Sequence, residues 1–290
     1  MLNVHRPKWI KAVAPSGENY LKVKQVLETH GLHTVCESAN CPNVGGCFDQ
    51  LTATFLILGD TCTRSCRFCA VVKGFPGPLD KNEPTKVSLA VKELGLNYVA
   101  ITSVTRDDLP DGGAEIFAET ILSLKRTIPE CRIEVLIPDF QGSHESLIKV
   151  IEAGPDVINH NMETIERLYA KVRPQADYRR SLEVIETVLR YDSNIVTKSG
   201  IMLGFGEAHH EILQTFTDLV NAGCKSLTIG QYLSPSHNHL PVKKYYSPQE
   251  YKYWHQVAED TGFNAVESGP LVRSSYHAAV QYNNIRKSQN

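Results

Sequence analysis

The chain has no apolar run near the ~20 residues that a helix needs to cross a bilayer. Its opening stretch, Met1-Leu-Asn-Val-His-Arg-Pro-Lys-Trp-Ile-Lys-Ala-Val13, lacks the unbroken apolar segment of a secretory signal. Neither sign of charge predominates. The 30 basic side chains face 32 acidic ones, a formal net charge of −2, so there is no global pull toward nucleic acid. No low-complexity linker divides the chain, and no segment repeats another as a solenoid would. These absences lead us to expect a cytoplasmic protein, with no membrane and no nucleic acid among its partners.

What is present is a 290-residue chain, 42% hydrophobic, long enough for one large domain or for one domain with extensions. It carries 8 cysteines. Six of them fall into two triplets, Cys36-x4-Cys41-x5-Cys47 and Cys62-x3-Cys66-x2-Cys69. In a reducing compartment such short, clustered spacings favour metal over disulfides. Three thiolates as close in sequence as Cys62, Cys66 and Cys69 cannot all face a hydrophobic core. They follow Thr54-Phe-Leu-Ile-Leu-Gly59, which reads as a buried strand running into a loop. Three thiolates on such a loop can hold three irons of a 4Fe–4S cube and leave the fourth iron open to a chelating substrate or cofactor. Structural zinc is the alternative, but zinc sites are usually closed by four ligands, and no His or further Cys follows closely. For Cys36, Cys41 and Cys47 the spacing in a Gly/Pro/Asn loop fits iron or zinc, with His33 a candidate fourth zinc ligand. Cys131 and Cys224 stand apart and read as packed thiols.

A helix is expected over 17–30, stopped by Gly31, where Tyr20, Val23, Val26 and Leu27 recur near helical spacing. The rest of 1–52 is punctuated by Pro and Cys and is expected to need a metal for order. From residue 53 apolar β-rich runs occur at 53–58, 98–102, 132–137, 156–159, 195–203 and 226–231. Helical patterns near 86–94, 114–127, 143–153, 181–191 and 209–222 lie between them, and Gly95, Gly154 and Gly223 punctuate three of their ends. A helix at 248–261 and a short strand at 263–266 follow. Strand–helix alternation implies parallel β/α units, too few for a closed eight-fold barrel. The expected fold is α/β, a partial (β/α)6 TIM-type barrel with N-terminal and C-terminal extensions. It divides into 1–52 with the first cysteine triplet, 53–232 as the barrel, and 233–290 with Arg273-Ser-Ser-Tyr276. A doubly wound open sheet is the alternative. In barrels of this kind the loops after the strands carry the chemistry.

The Cys62-x3-Cys66-x2-Cys69 triplet is the signature of the radical S-adenosylmethionine superfamily. Together with the first triplet and Arg273-Ser-Ser-Tyr276 it resembles the lipoyl synthase family. The likeness extends through Gly31-Leu-His-Thr-Val-Cys36, Thr105-Arg-Asp-Asp-Leu-Pro-Asp-Gly-Gly113, Asn159-His-Asn161 and Gln231-Tyr-Leu233. It implies radical-mediated insertion of two sulfur atoms, at C6 and C8, into a protein-bound octanoyl-lysine, giving the lipoyl cofactor. It also implies two 4Fe–4S clusters and two molecules of S-adenosylmethionine cleaved per product. Cys62, Cys66 and Cys69 would hold the cluster that chelates S-adenosylmethionine. Cys36, Cys41, Cys47 and Ser275 would hold an auxiliary cluster that is sacrificed as the sulfur source, with Ser274 the alternative serine. Without the resemblance, Ser274 and Ser275 read as caps of the last helix.

Gly200-Ile-Met-Leu-Gly-Phe-Gly-Glu207 resembles the superfamily's fifth-strand motif near the adenine, which makes Gly204 and Glu207 candidate cofactor residues. An ordinary strand-to-helix turn, with Glu207 favoured by the helix dipole, is the alternative. Asn159 and Asn161 are candidates for the ribose hydroxyls or else turn residues, and His160 between them reads as structural. Arg173 and Lys198 are candidates for the methionine carboxylate, solvated charge being the commoner role. Asp107, Asp108 and Asp111 either shape their turn or meet substrate or cofactor. The implied partners are octanoylated lipoyl carrier domains or a glycine-cleavage H-type protein. To these the family adds a reduced ferredoxin or flavodoxin type electron donor and an iron–sulfur cluster repair carrier.

Overall fold

The computed structural model describes residues 6–288, so the first five positions of the N-terminal stretch read above lie outside the described residues. The chain divides into two compact units. The first comprises Ala12–Ser65 and Ala70–Ile158. It opens with helix α1 (Glu18–His30), closed by Gly31 in the left-handed conformation. Strand β1 (His33–Thr34), the short helices α2 (Val35–Ser38) and α3 (Val44–Asp49), and strand β2 (Thr54–Ile57) follow, with β1 antiparallel to β2. The 31–52 region is thus partly helical. Its polar side chains supply the reason: the Thr34 hydroxyl accepts the Glu37 N–H at 3.3 Å and caps α2.

Beyond β2 a small ribbon of β3 (Thr61–Cys62) and β4 (Val72–Lys73) brackets the second cysteine triplet. Helix α4 (Glu83–Leu94) leads to β5 (Tyr98–Ser103), α5 (Ala114–Thr127) to β6 (Arg132–Leu136), and α6 (His144–Glu152) to the short β7 (Val157–Asn159), at which the chain passes into the second unit. Strand β5 pairs in parallel with β2 and β6, Ala100 opposite Thr54 and Tyr98 opposite Arg132. All of β2 is buried, as befits a parallel strand covered on both faces. Helix α4 starts three positions earlier than the periodicity suggests, because Pro84 sits in its first turn, where a missing N–H costs nothing.

The second unit comprises the described part of Met1–Lys11 and Asn159–Asn290 together with Cys66–Cys69. Its elements are α7 (Tyr169–Val172), α8 (Tyr178–Tyr191), β8 (Val196–Leu203), α9 (His209–Asn221), β9 (Ser226–Gln231), α10 (Pro248–Thr261), β10 (Ala265–Gly269) and α11 (Ala278–Ser288). Strand β9 pairs in parallel with β8 and β10, Ser226 lying opposite both Lys198 and Ala265. Leu182, Ile185 and Val188 of α8 recur on one buried face, the stripe that docks an amphipathic helix. Ile201, Leu203, Phe216, Leu227, Ile229 and Trp254 join the core, with Phe216 edge-on to Trp254 at 5.9 Å. Strand β9 and helices α5 and α10 coincide with the expected ranges, since each has an uninterrupted pattern bounded by polar or glycine stops.

The strand that enters the cysteine loop ends on a left-handed residue, Leu58 (φ 69°), a conformation that disfavours a branched side chain. Polar bonds on both sides hold it there. The buried Glu83 carboxylate accepts the Leu58 N–H at 2.7 Å, and Arg106 Nη1 donates to the Leu58 carbonyl at 3.2 Å. Burial pushes the Glu83 pKa up. Glu83→Ala should lower stability of the metal-free protein by about 1–3 kcal/mol, the cost of stranding a buried donor, and urea denaturation would read it. Glu83→Gln keeps an acceptor and should lose less.

Candidate functional site

The second cysteine triplet is anchored at both ends. On the first unit's side, Cys62 Sγ accepts the Thr105 N–H at 3.3 Å, and the Cys62 carbonyl accepts the Gly74 N–H at 3.0 Å. The Thr63 hydroxyl donates to the Thr105 carbonyl at 2.9 Å and accepts the Asp107 N–H at 3.1 Å. Arg64 is only 4% exposed. Its Nε and Nη2 meet the two oxygens of Asp107 at 2.7 and 3.0 Å, and Nη2 also meets Asp139 at 2.6 Å. This is a two-pronged guanidinium–carboxylate pair with a second, fully buried carboxylate added.

On the second unit's side, the Arg67 N–H donates to Val172 at 2.9 Å, Leu240 donates to the Arg67 carbonyl at 3.2 Å, and His239 Nε2 lies 3.1 Å from the Cys69 carbonyl. Cys62, Cys66 and Cys69 are in no disulfide and are partly exposed. Sequence alone does not single out Arg64 or Asp139, and it presents Thr105 only as the first residue of a family motif. An arginine between two cysteines was the one available signal, and its partners lie far along the chain.

The three aspartates after β5 also find their places. Asp107 pairs with Arg64, and Asp108 pairs with Arg106 at 2.9 Å. Asp111 accepts the Gly113 and Glu115 N–H groups at 3.0 and 2.8 Å, which caps the start of α5.

The first triplet has a different environment. Cys36 lies in α2, buried, and its carbonyl accepts the Cys41 N–H at 2.9 Å, while Cys47 lies in α3. Burial pushes the Cys36 thiol up to about 12, opposed by bonding from Thr54 and reinforced by Cys41 and Cys47. Cys47 rises to about 11 by burial and by Cys41. Each sulfur therefore lies within electrostatic reach of its fellows, so the fold gathers the three. Among the described residues no three Cys, His, Asp or Glu side chains converge on a single-ion site. The ligands of an iron–sulfur cube bind separate irons and need no common point, so both thiol sets fit such a cube by their chemistry. Ser274 and Ser275 lie half-buried in the turn before α11, and neither hydroxyl bonds a described residue, so neither caps that helix. Cys131 and Cys224 are buried thiols, raised by burial to about 11 and about 12, as packed cysteines should be.

The candidate cofactor residues gather in the second unit. Asn159, Asn161, Arg173 and Lys198 are all buried, so neither cation is the solvated charge that residue type alone suggests. His160 is buried as well, and its N–H donates to the Lys198 carbonyl at 3.0 Å. Arg173 Nη1 donates to the Asn161 carbonyl at 2.7 Å and to the Met162 carbonyl at 3.2 Å. Asn161 Nδ2 donates to Glu163 at 2.9 Å, while Asn161 Oδ1 is buried with no partner. That oxygen lies 2.8 Å from where a side-chain carbon at Gly200 would sit, so glycine is needed there. An orphaned acceptor beside a bare backbone fits a hydroxyl-bearing ligand. Gly204 (φ 127°) lies against Gln231 and the Lys244 carbonyl. Glu207 does not begin α9; its carboxylate turns back to accept the Gly204, Phe205 and Gly206 N–H groups at 2.9–3.2 Å.

A sequence model of the radical S-adenosylmethionine superfamily matches residues 56–219, and one for the N-terminal domain of lipoyl synthase matches residues 2–41. The crystal structure of methylornithine synthase (PylB) is similar at a TM-score of 0.54, with 13% identity over 87% of this chain and 78% of that one. SuiB of Streptococcus suis, bound to S-adenosylmethionine, is similar at 0.58, with 10% identity over 89% of this chain and 58% of that one. The chain is therefore a radical S-adenosylmethionine protein, and the strand–helix alternation is the partial barrel fold of that class. The lipoyl synthase of Rubrobacter xylanophilus is 52% identical over 97% of this chain and 88% of its own length. That of Caldicellulosiruptor bescii is 55% identical over 96% of each. This chain belongs to the lipoyl synthase family.

The Arg64 network has a measurable weight. Asp139→Ala would leave the buried guanidinium with half its partners gone, and removing one member of a buried pair costs about 3–5 kcal/mol. A loss of that order is expected in chemical denaturation, with a smaller one for Asp139→Asn.

Proposed function

We propose that this chain inserts sulfur at C6 and C8 of an octanoyl chain carried on a protein lysine, with Cys36, Cys41, Cys47 and Ser275 holding the cluster that supplies the sulfur. The observation that carries the reading is a pair of separate thiol triplets in a chain of the lipoyl synthase family. Membership implies a 4Fe–4S cluster, S-adenosylmethionine, a lipoyl carrier substrate and a reductant. The finer assignments are our own. When bound at Cys62, Cys66 and Cys69, the cluster and S-adenosylmethionine supply a radical strong enough to take hydrogen from an unactivated carbon.

The chain's own residues bind, orient and exclude water. Asn161, with its free Oδ1, and Asn159 would take the ribose, and the buried cations of Arg173 and Lys198 would favour the methionine carboxylate. A buried cation is far more effective against an anion than a solvated one. Gly204 would let the turn pass close to the adenine, its left-handed backbone packed against Gln231, and Glu207 would support that role by holding the turn in shape. No group needs to act as a general acid or base. Ser275 would be the fourth ligand of the sulfur-supplying cluster, its hydroxyl being uncommitted to any described residue. An oxygen ligand is a poorer match for iron than thiolate and would leave readily as sulfide is given up. The substrate would be an octanoylated lipoyl domain or a glycine-cleavage H-type protein. A reduced ferredoxin or flavodoxin would supply electrons, and a cluster carrier would rebuild the spent site in the cytoplasm.

The test is anaerobic incubation with reductant, S-adenosylmethionine and an octanoyllysyl peptide. Cys62→Ala, Cys66→Ala and Cys69→Ala should abolish 5′-deoxyadenosine. Cys36→Ala, Cys41→Ala and Cys47→Ala should still form it, yet give no thiolated peptide. The opposite pattern would reverse the two assignments. Ser275→Ala should impair insertion more than cluster assembly, and Ser274→Ala should do less. If Ser274→Ala alone were damaging, the fourth ligand would move by one residue. Protein reconstituted with heavy sulfide should pass the label into the peptide. An unlabelled product would mean an external donor and a second cluster that only relays electrons.

A further inference from the structure

Arg64 is not a ligand, yet it lies within the cysteine loop and is the most deeply buried charge there. It joins Cys62 to a single neighbouring segment, 105–107, by a closed set of bonds. The Thr105 N–H reaches the Cys62 sulfur, Thr63 bonds Thr105 and Asp107, and Arg64 grips both oxygens of Asp107. Asp139 holds the far side of the guanidinium, and Gln141 Nε2 donates to the Asp107 carbonyl at 3.2 Å, so the segment is fastened from behind as well. Ordinary packing would not need so many polar bonds on three consecutive residues. Their common effect is to keep one N–H aimed at one sulfur.

We propose that segment 105–107 is a positioning device for Cys62, held by Arg64 and Thr63, which sets the reduction potential of whatever cluster Cys62 ligates. The inference rests on Cys62, Cys66 and Cys69 being cluster ligands, as proposed above. Hydrogen bonds to ligand sulfurs and solvent exposure are among the levers that tune such clusters. An N–H pointed at a thiolate stabilises the more negative, reduced state, so it raises the potential and makes the cluster easier to reduce. Arg64 acts through geometry here, because the two carboxylates that flank it offset its charge. The arrangement requires a planar fork; a lysine carries the same charge but cannot grip both Asp107 oxygens while meeting Asp139.

The measurement uses protein with Cys36, Cys41 and Cys47 all replaced by Ala, reconstituted anaerobically with iron and sulfide, so that a single cluster is read. Midpoint potential is followed by EPR under a redox titration. Three changes are compared: Arg64→Lys, which keeps the charge; Asp107→Asn, which removes a negative charge; and Thr63→Val, which touches no charge and disturbs the loop least. If the device works by position, all three lower the potential. The ratio of reduced to oxidised cluster at a fixed poise should fall about two- to tenfold, the size expected for the net worth of one ordinary hydrogen bond. Hydrogen exchange should quicken in the 104–107 peptide while staying unchanged in α10. Glu115→Gln, at an exposed pair with Lys149, serves as the control for charge alone and should leave the potential in place.

Simple electrostatics gives a different pattern: Asp107→Asn raises the potential and Arg64→Lys leaves it where it was. That result, or unchanged potentials in both Arg64→Lys and Thr63→Val, overturns the proposal. Should the parent triple variant take up no cluster at all, the ligand assignment fails instead, and the two failures cannot be confused.

Discussion

A guanidinium cannot shed its proton, so burying Arg64 is tolerable only if carboxylates surround it. Asp107 and Asp139 meet that demand from loops that follow β5 and β6. The constraint runs both ways. Because the charge must be satisfied, the two loops are drawn to the cysteine loop, and because they are drawn there, the Thr105 N–H comes to the Cys62 sulfur. The strand ahead of the loop is held by the same kind of bond, with Glu83 and Arg106 on either side of a left-handed Leu58. Much of the order around a flexible-looking, cysteine-bearing loop thus follows from a few polar side chains that would be costly to bury alone.

The two triplets sit in different surroundings. Cys62, Cys66 and Cys69 remain partly exposed on a loop fastened at both ends, where a cluster with an open corner would have to meet a ligand. Cys36 is buried and both Cys36 and Cys47 resist ionisation, so loading a metal there must displace protons from neutral thiols. The cofactor candidates follow a third pattern: buried polar groups packed closely against glycines.

Much of this was legible in the chain. Strand β9 and helices α5 and α10 were readable to the residue because apolar periodicity and its stops are local. The start of α4 was missed because Pro84 reads as a break until one knows that it occupies a first turn. Helices α2 and α3 were missed because short helices carry too few residues to show a period. The alternative that places Glu207 at a helix start does not hold, because its carboxylate turns back onto the loop behind it.

Six thiols in two sets, the alternation of strands with helices, and the family resemblance can all be read along the chain, because spacing and periodicity are properties of neighbours in sequence. Folding alone buries Lys198 and Arg173, leaves Asn161 with an unmatched oxygen beside Gly200, and makes Arg64 the fastening of the cysteine loop. Those facts turn on which distant segments come within bonding distance. Asp139 lies 75 residues beyond Arg64, and only the folded chain brings the carboxylate to the guanidinium.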